Sequence, residues 1–178
     1  MSINKKFCDI ILRSVPEWQT SVPERLILVG LFAILKPEHA LEVGVFKASG
    51  TFRIAEYCKS LYCVDPIQNF APLPGNCTYF KTTSDEAFEL FAQQKLRFDI
   101  TVIDADHSED HAYRDMKNAL SMSDIVIAHD VYHDETCKGY MRAIAEQSNL
   151  IYLNNRMTHV EDACPEWGGY LLAVGSVQ

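Results

Sequence analysis

From Ala40 onward, short apolar runs alternate with amphipathic stretches of helical period, and each of the first five runs is closed or followed by acidic, glycine, serine or histidine residues. No other feature constrains the fold as strongly. Continuous apolar runs are strands buried on both faces, and the helical stretches between them are crossovers joining parallel neighbours. Strands are expected near 39–43, 61–65, 77–81, 98–104, 124–129, 150–154 and 169–174, with helices near 49–59, 84–95, 108–120 and 137–147. The expected fold is α/β: a doubly wound, Rossmann-like, mostly parallel seven-stranded sheet. Residues 155–168 have weak helical character and read as a long hairpin-type loop, which makes the last strand antiparallel.

The 178 residues fit one domain at about 100–200 residues per domain, with an amino-terminal helical cap over 1–37 and an α/β core over 38–178. In the cap, Ser21 and Glu24 form a capping-box pattern, Pro23 sits in the first turn and Pro37 ends the helix. The stripe Ile27, Leu31, Ile34 and Leu35 is either core or the seam of a homodimer. Thr83 with Glu86, and Asp106 with Glu109, give N-cap signals for two core helices. Residues 66–76 hold three prolines and a glycine and read as a loop.

Sixteen Lys and Arg against 24 Asp and Glu leave a net charge of −8. Such a field repels polyanions, so nucleic acid is not an expected partner. The longest apolar run, Leu26–Leu35, is far short of the ~20 residues that span a bilayer, so no membrane role is expected. Cysteines 8, 58, 63, 77, 137 and 164 are scattered without a CxxC pair, as small core hydrophobes of a reducing, cytoplasmic compartment would be.

Ligands of doubly wound sheets bind beyond the carboxyl ends of the strands, where strand order reverses. The polar residues keep that phase: Glu42 and Gly44 after the first strand, Asp65 after the second, Ser84 and Asp85 after the third, Asp104 and Asp106 after the fourth, His129 and Asp130 after the fifth. Gly44 allows close backbone approach to a ligand, and Asp65 follows Glu42 by 23 residues, about the interval at which a carboxylate meets a ribose diol. Together they suggest an adenosine-containing cofactor. Gly44, Phe46 and Ser49 occupy the positions of a GxGxxG pattern, so the pyrophosphate cradle of a nicotinamide cofactor is missing.

The segments EVGVFKASGT, LYCVDP, FDITVIDADHSEDHAYRD and IVIAHDVY, in that order over roughly residues 38–147, resemble the motifs of class I S-adenosylmethionine-dependent methyltransferases. They are most similar to the macrocin-type, cephalosporin-hydroxylase-like and catechol-type O-methyltransferase branch. The resemblance implies that Glu42 and Gly44 line the methionine part of S-adenosylmethionine, that Asp65 holds the ribose and that Ser84 contacts adenine, with Asp104 beside the cofactor. It also implies a divalent metal, magnesium in the metal-dependent members, on Asp104, His129 and Asp130. Ala105 stands where the family usually has Gly, Ser123 and Asp124 replace two usual glycines, and His129 favours zinc, iron or nickel over magnesium.

A hydroxyl acceptor needs a base or a metal, and His107, His129 and His133 stand near the crevice with Asp104, Asp106 and Asp130. His107 or His129 is expected as base or further ligand. The short cap leaves room for a small-molecule or sugar acceptor. Asp106 is alternatively only an N-cap, His111 a surface residue, and Tyr132, Trp18 and Trp167 packing aromatics. The competing functional reading is an S-adenosylmethionine-binding or S-adenosylhomocysteine-binding module that has lost catalysis and acts as partner or sensor.

Overall fold

A computed structural model describes residues 20–155 and 168–175. Cys8, Trp18, Cys164 and Trp167 lie outside them. The chain runs α1 (Val22–Leu35), β1 (His39–Val43), α2 (Ser49–Ile54), β2 (Ser60–Val64), β3 (Cys77–Phe80), α3 (Ser84–Gln93), β4 (Phe98–Ile103), α4 (Glu109–Met122), β5 (Ser123–His129), α5 (Asp134–Ala145), β6 (Leu150–Asn155) and β7 (Tyr170–Gly175). The strands form one sheet in the order β3-β2-β1-β4-β5-β7-β6. The first five are parallel, and β7 inserts antiparallel between β5 and β6. Strand order reverses between β1 and β4, which puts the ligand crevice of a doubly wound sheet at their carboxyl ends.

Two apolar layers enclose the sheet. One packs Leu41, Val43, Val64, Phe88, Phe91, Met116 and Tyr140, and the other packs Leu28, Phe32, Ala40, Ile54, Leu61, Ile100 and Ile127. Alternate residues of β1 serve opposite layers, as the period of two requires. Among the described residues no helix is long and apolar enough to cross a membrane. The four described cysteines are free thiols; Cys63 and Cys137 are buried.

Local signals explain most boundaries. Thr83 caps α3 in a reciprocal box, its hydroxyl accepting from Glu86 N at 3.4 Å while Glu86 Oε2 accepts from Thr83 N at 3.3 Å. Lys36 ends α1 in the left-handed region, its N–H bonded to Phe32 O at 2.8 Å, and Pro37 prevents continuation.

Four expectations need correction. The expected helix 49–59 is α2 followed by a 3-10 turn over Ala55–Tyr57. The last helix starts at Asp134 rather than 137, because Asp134 and Glu135 suit the positive end of a helix even though they break the apolar pattern. Asp106 is not the N-cap of α4; Ser108 is, and Asp106 Oδ1 accepts from both the N–H and the hydroxyl of Ser108 at 2.8 and 2.6 Å. In α1, Ile34 and Leu35 are exposed, and the buried row is Glu24, Leu28 and Phe32 at helical spacing, with Val29 beside it. A carboxylate thus occupies the first position of a core-facing row.

Candidate functional site

The seam between β1 and β4 is very tight. Gly44 has φ +91°, and a Cβ there would lie 1.8 Å from the carbonyl oxygen of Asp104. Only glycine fits, and the reason is the backbone of the neighbouring strand end as well as any ligand. The same contact joins the two halves of the strand-end rim, because Gly44 begins the first loop and Asp104 begins the fourth.

On the β1–β2 side, Asp65 organises the loop after Gly44. Its Oδ2 accepts from Val45 N and Phe46 N, both at 2.9 Å, and its Oδ1 accepts from Ile67 N at 2.8 Å. The loop holds Phe46 and Ala48 at φ 50° and 62°, a left-handed geometry that side chains rarely adopt and that clusters at functional loops. Asp65 and Gly44 therefore lie side by side, as expected, with the carboxylate spending three acceptor sites on its own chain. Glu42 takes its hydrogen bond from α2. It is buried, accepts from Thr51 Oγ1 at 2.6 Å, and burial pushes its carboxyl up to about 8. Ser84 is the first residue of α3, with buried Asp115 behind it. Burial raises the Asp115 carboxyl to about 6, opposed by the nearby Ser84 hydroxyl, and neither Asp115 oxygen completes a hydrogen bond among the described residues.

On the β4–β5 side, Asp104, His107 and Asp130 each present one donor atom within 4.8 Å of the others, close enough to share a cation. His107 Nε2 bonds Asp130 Oδ2 at 2.8 Å, and this bond raises the His107 pKa above its ordinary value against the opposing effect of burial. Asp130 stands at φ 58°, and Thr136 fixes the loop by donating to His107 O at 2.9 Å. Two carboxylates and one imidazole suit a divalent cation of borderline hardness, such as manganese, iron or zinc.

His129, expected as a ligand together with Asp104 and Asp130, stands against both carboxylates and also reaches back to α1. Its Nε2 faces Glu24 Oε1 at 3.3 Å, and its ring tilts against Tyr170 at 4.9 Å between centroids. Its buried Nδ1 sits 3.1 Å from Asp130 Oδ1 and 3.4 Å from Asp104 Oδ1 without completing a directed hydrogen bond among the described residues. Burial disfavours the imidazolium, but Asp104 and the other acidic neighbours outweigh it and hold the His129 pKa well above the ordinary range. Glu24 is buried too, which by itself would raise its pKa, yet His129 and Ser21 bring it down to about 2. Since Glu24 is an anion, His129 Nε2 is the donor of their hydrogen bond.

Glu24 and the glycines that start β7 are the parts of this site that sequence reasoning missed. Glu24 Oε2 accepts from Ser21 N at 2.7 Å, so the capping box is real; Oε1 in addition accepts from Gly169 N at 2.5 Å. The signal was the position of Glu24 four residues before Leu28 and eight before Phe32, on the buried row. His111 is half-buried and bonds Ser108 Oγ at 3.0 Å, in keeping with a local role.

No protein-family profile matches the chain, and no curated protein is similar to it at the sequence level. Solved structures, several of them methyltransferases, do share its fold. An O-methyltransferase from Bacillus cereus, solved with S-adenosylhomocysteine, superposes with TM-score 0.74 at 15% identity over 97% of this chain and 90% of that one. TomG from Streptomyces achromogenes, an O-methyltransferase of tomaymycin synthesis solved with S-adenosylmethionine, gives TM-score 0.74 at 15% identity over 97% and 89%. The N-methyltransferase NodS from Bradyrhizobium japonicum is also similar, with TM-score 0.57 and 13% identity over 88% and 96%. A single fold therefore carries methyl transfer to both oxygen and nitrogen.

Proposed function

We propose that this protein transfers a methyl group from S-adenosylmethionine to a hydroxyl of a small molecule or sugar, with a divalent cation at Asp104, His107 and Asp130. One observation carries the reading: the β1 bend at Gly44, the loop held by Asp65 and the Asp104–His107–Asp130 group adjoin at the point where strand order reverses. The S-adenosylhomocysteine and S-adenosylmethionine bound in the two O-methyltransferase structures above support the choice of methyl donor. The net charge of −8 supports a small acceptor over a nucleic acid.

Bound S-adenosylmethionine supplies an electrophilic methyl group on a sulfonium, and a bound cation lowers the proton affinity of a hydroxyl. The chain's own residues do the rest. Asp65 shapes the loop after β1, which with Ser84 receives the nucleoside. Asp104, His107 and Asp130 place the acceptor oxygen next to the methyl group. Alignment of this kind is worth up to about 7–11 kcal/mol in intramolecular models. Without a cation, the existing His107–Asp130 hydrogen bond favours a second reading. Donation from Nε2 to Asp130 leaves Nδ1 as the basic atom of a neutral imidazole, which then takes the acceptor proton.

Calorimetric titration with S-adenosylhomocysteine tests the proposal. Saturable 1:1 binding is expected, and Asp65→Ala should weaken it at least about tenfold, the equivalent of one charge-assisted hydrogen bond of about 1.4 kcal/mol. A flat titration with folded protein overturns the reading. Chelation that leaves turnover unchanged removes the cation and leaves the His107 base. S-adenosylhomocysteine binding without transfer to any acceptor in a mixed metabolite extract identifies the non-catalytic binding module instead.

A further inference from the structure

The geometry points to Glu24 as a positioning residue for the Asp104–His107–Asp130 group, acting from the amino-terminal helix through the turn that starts β7. This inference rests on the cation site of the proposed function and assigns a role to a residue outside it.

Two routes lead from the Glu24 carboxylate to that group. Along the first, Glu24 Oε1 accepts from Gly169 N at 2.5 Å, while the preceding amide, Gly168 N, donates to Asp130 Oδ1 at 2.7 Å. Consecutive N–H groups of one turn thus hold one carboxylate of the α1 helix and one of the site. The turn is built for this arrangement. Gly168 and Gly169 stand at φ +107° and +78°, and a Cβ on Gly168 would lie 2.8 Å from Glu24 Oε1. Successive amides that converge on anions form a nest. Gly168 O closes the assembly by accepting from Tyr132 N at 3.0 Å, two residues beyond Asp130.

The second route runs through His129, whose Nε2 meets Glu24 and whose Nδ1 lies between Asp130 and Asp104. Asp130 is thereby held from three directions: the Gly168 amide, the His129 ring and, on its other oxygen, His107 at 2.8 Å. Two of the three supports end on Glu24. Its partners His129 and Gly169 are 105 and 145 residues away in the chain, so the site is assembled only when α1 docks. Ser21 N on the other Glu24 oxygen ties that docking to the start of the helix.

Glu24→Gln is the informative substitution. Gly169 N and His129 Nε2 share Oε1 while Ser21 N uses Oε2, so the amide must present an N–H either to Ser21 N or to the Gly169 and His129 pair; donors collide in both orientations, and the anion facing His129 is lost. The experiment uses the full chain, with Mn2+ alone as the metal probe, S-adenosylhomocysteine as the cofactor-side probe, and amide hydrogen exchange together with 15N-histidine NMR as readouts. Partners of this kind behind metal ligands are worth about 10–100-fold in metal affinity. We expect a Mn2+ affinity loss in that range, faster exchange at Gly168 and Tyr132, and a displaced His129 imidazole N–H signal. Affinity for S-adenosylhomocysteine should stay within about twofold, because that probe sits on a separate part of the rim.

His129→Asn approaches from the other end and serves if the Gln variant does not fold. It should lower Mn2+ affinity comparably, and the double variant should lose no more than either single one. Wild-type protein that binds no Mn2+, unchanged Mn2+ affinity in both variants, or additive losses each overturn the inference. Failure of the wild type to bind S-adenosylhomocysteine strikes the proposed function instead, and leaves the Mn2+ and exchange comparisons to stand or fall separately.

Discussion

The β1–β2 half of the rim and the β5–β7 half solve the same problem, holding carboxylates at strand ends, by different means. Asp65 is satisfied by amides 2, 19 and 20 residues away, all within one βαβ unit and its exit. Glu24 and Asp130 are satisfied by groups up to 145 and 38 residues away. The first half is therefore complete as soon as its own unit folds. The second requires a helix from before the sheet and a strand from after it to arrive together, which makes it the part most exposed to local opening. Under the proposed function, the first half would bind the cofactor on a stable platform while the acceptor side would depend on the docking of α1 and β7.

The most severe test of the division is the seam itself. Gly44→Ala drives a methyl group to 1.8 Å from Asp104 O at a φ hostile to side chains, so a loss of more than about 4 kcal/mol is expected by urea denaturation, with both halves affected. A tolerated alanine would mean that β1 and β4 separate easily and that the halves are not rigidly joined.

Glu42→Gln examines the first half alone. The Glu42 carboxyl is raised to about 8 in the folded chain against an ordinary 4.5. Between those values the unfolded chain has released the proton and the folded chain keeps it, so the wild type loses stability as pH rises through this window. The Gln variant should lack that loss and be more stable than wild type by about 2–4 kcal/mol at pH 8.5, with equal stability near pH 4. Denaturation curves at the two pH values measure it. Unchanged histidine NMR signals in the variant would sharpen the separation of the halves, and shifted ones would blur it.

Asp115→Asn should have the smallest effect. Its carboxyl is raised to about 6, so the wild type loses stability between about pH 4 and 6, and Asn should recover about 1–2 kcal/mol at pH 7. A destabilised variant would show that the Asp115 charge is used, and would place a further constraint next to Ser84.

The same division explains what was legible in advance. Strands were readable because burial on both faces leaves continuous apolar runs, as in Phe98–Ile103 and Ser123–His129, and because each run ended in the polar residue that now stands on the rim. Asp65 and Gly44 were found as neighbours because a βαβ unit fixes the interval between them. The place of His129 beside Asp104 and Asp130 was legible from the strand end, but its contact with Glu24 was not. The ring keeps Nδ1 beside Asp104 and Asp130 and sends Nε2 toward Glu24, a partner 105 residues away that no local pattern reveals.

The order of apolar and polar residues along the chain determined the α/β class, the parallel core, the antiparallel last strand and the rim on which a site could stand, since each depends on periodicity and on distances measured along one unit. The tertiary structure decided which carboxylates pair with which histidines, that β7 inserts between β5 and β6, and that a helix-capping glutamate is also buried beneath the site. Those outcomes depend on close approach between segments far apart in sequence, where contact energies of a few kcal/mol act only after the chain has closed its long loops.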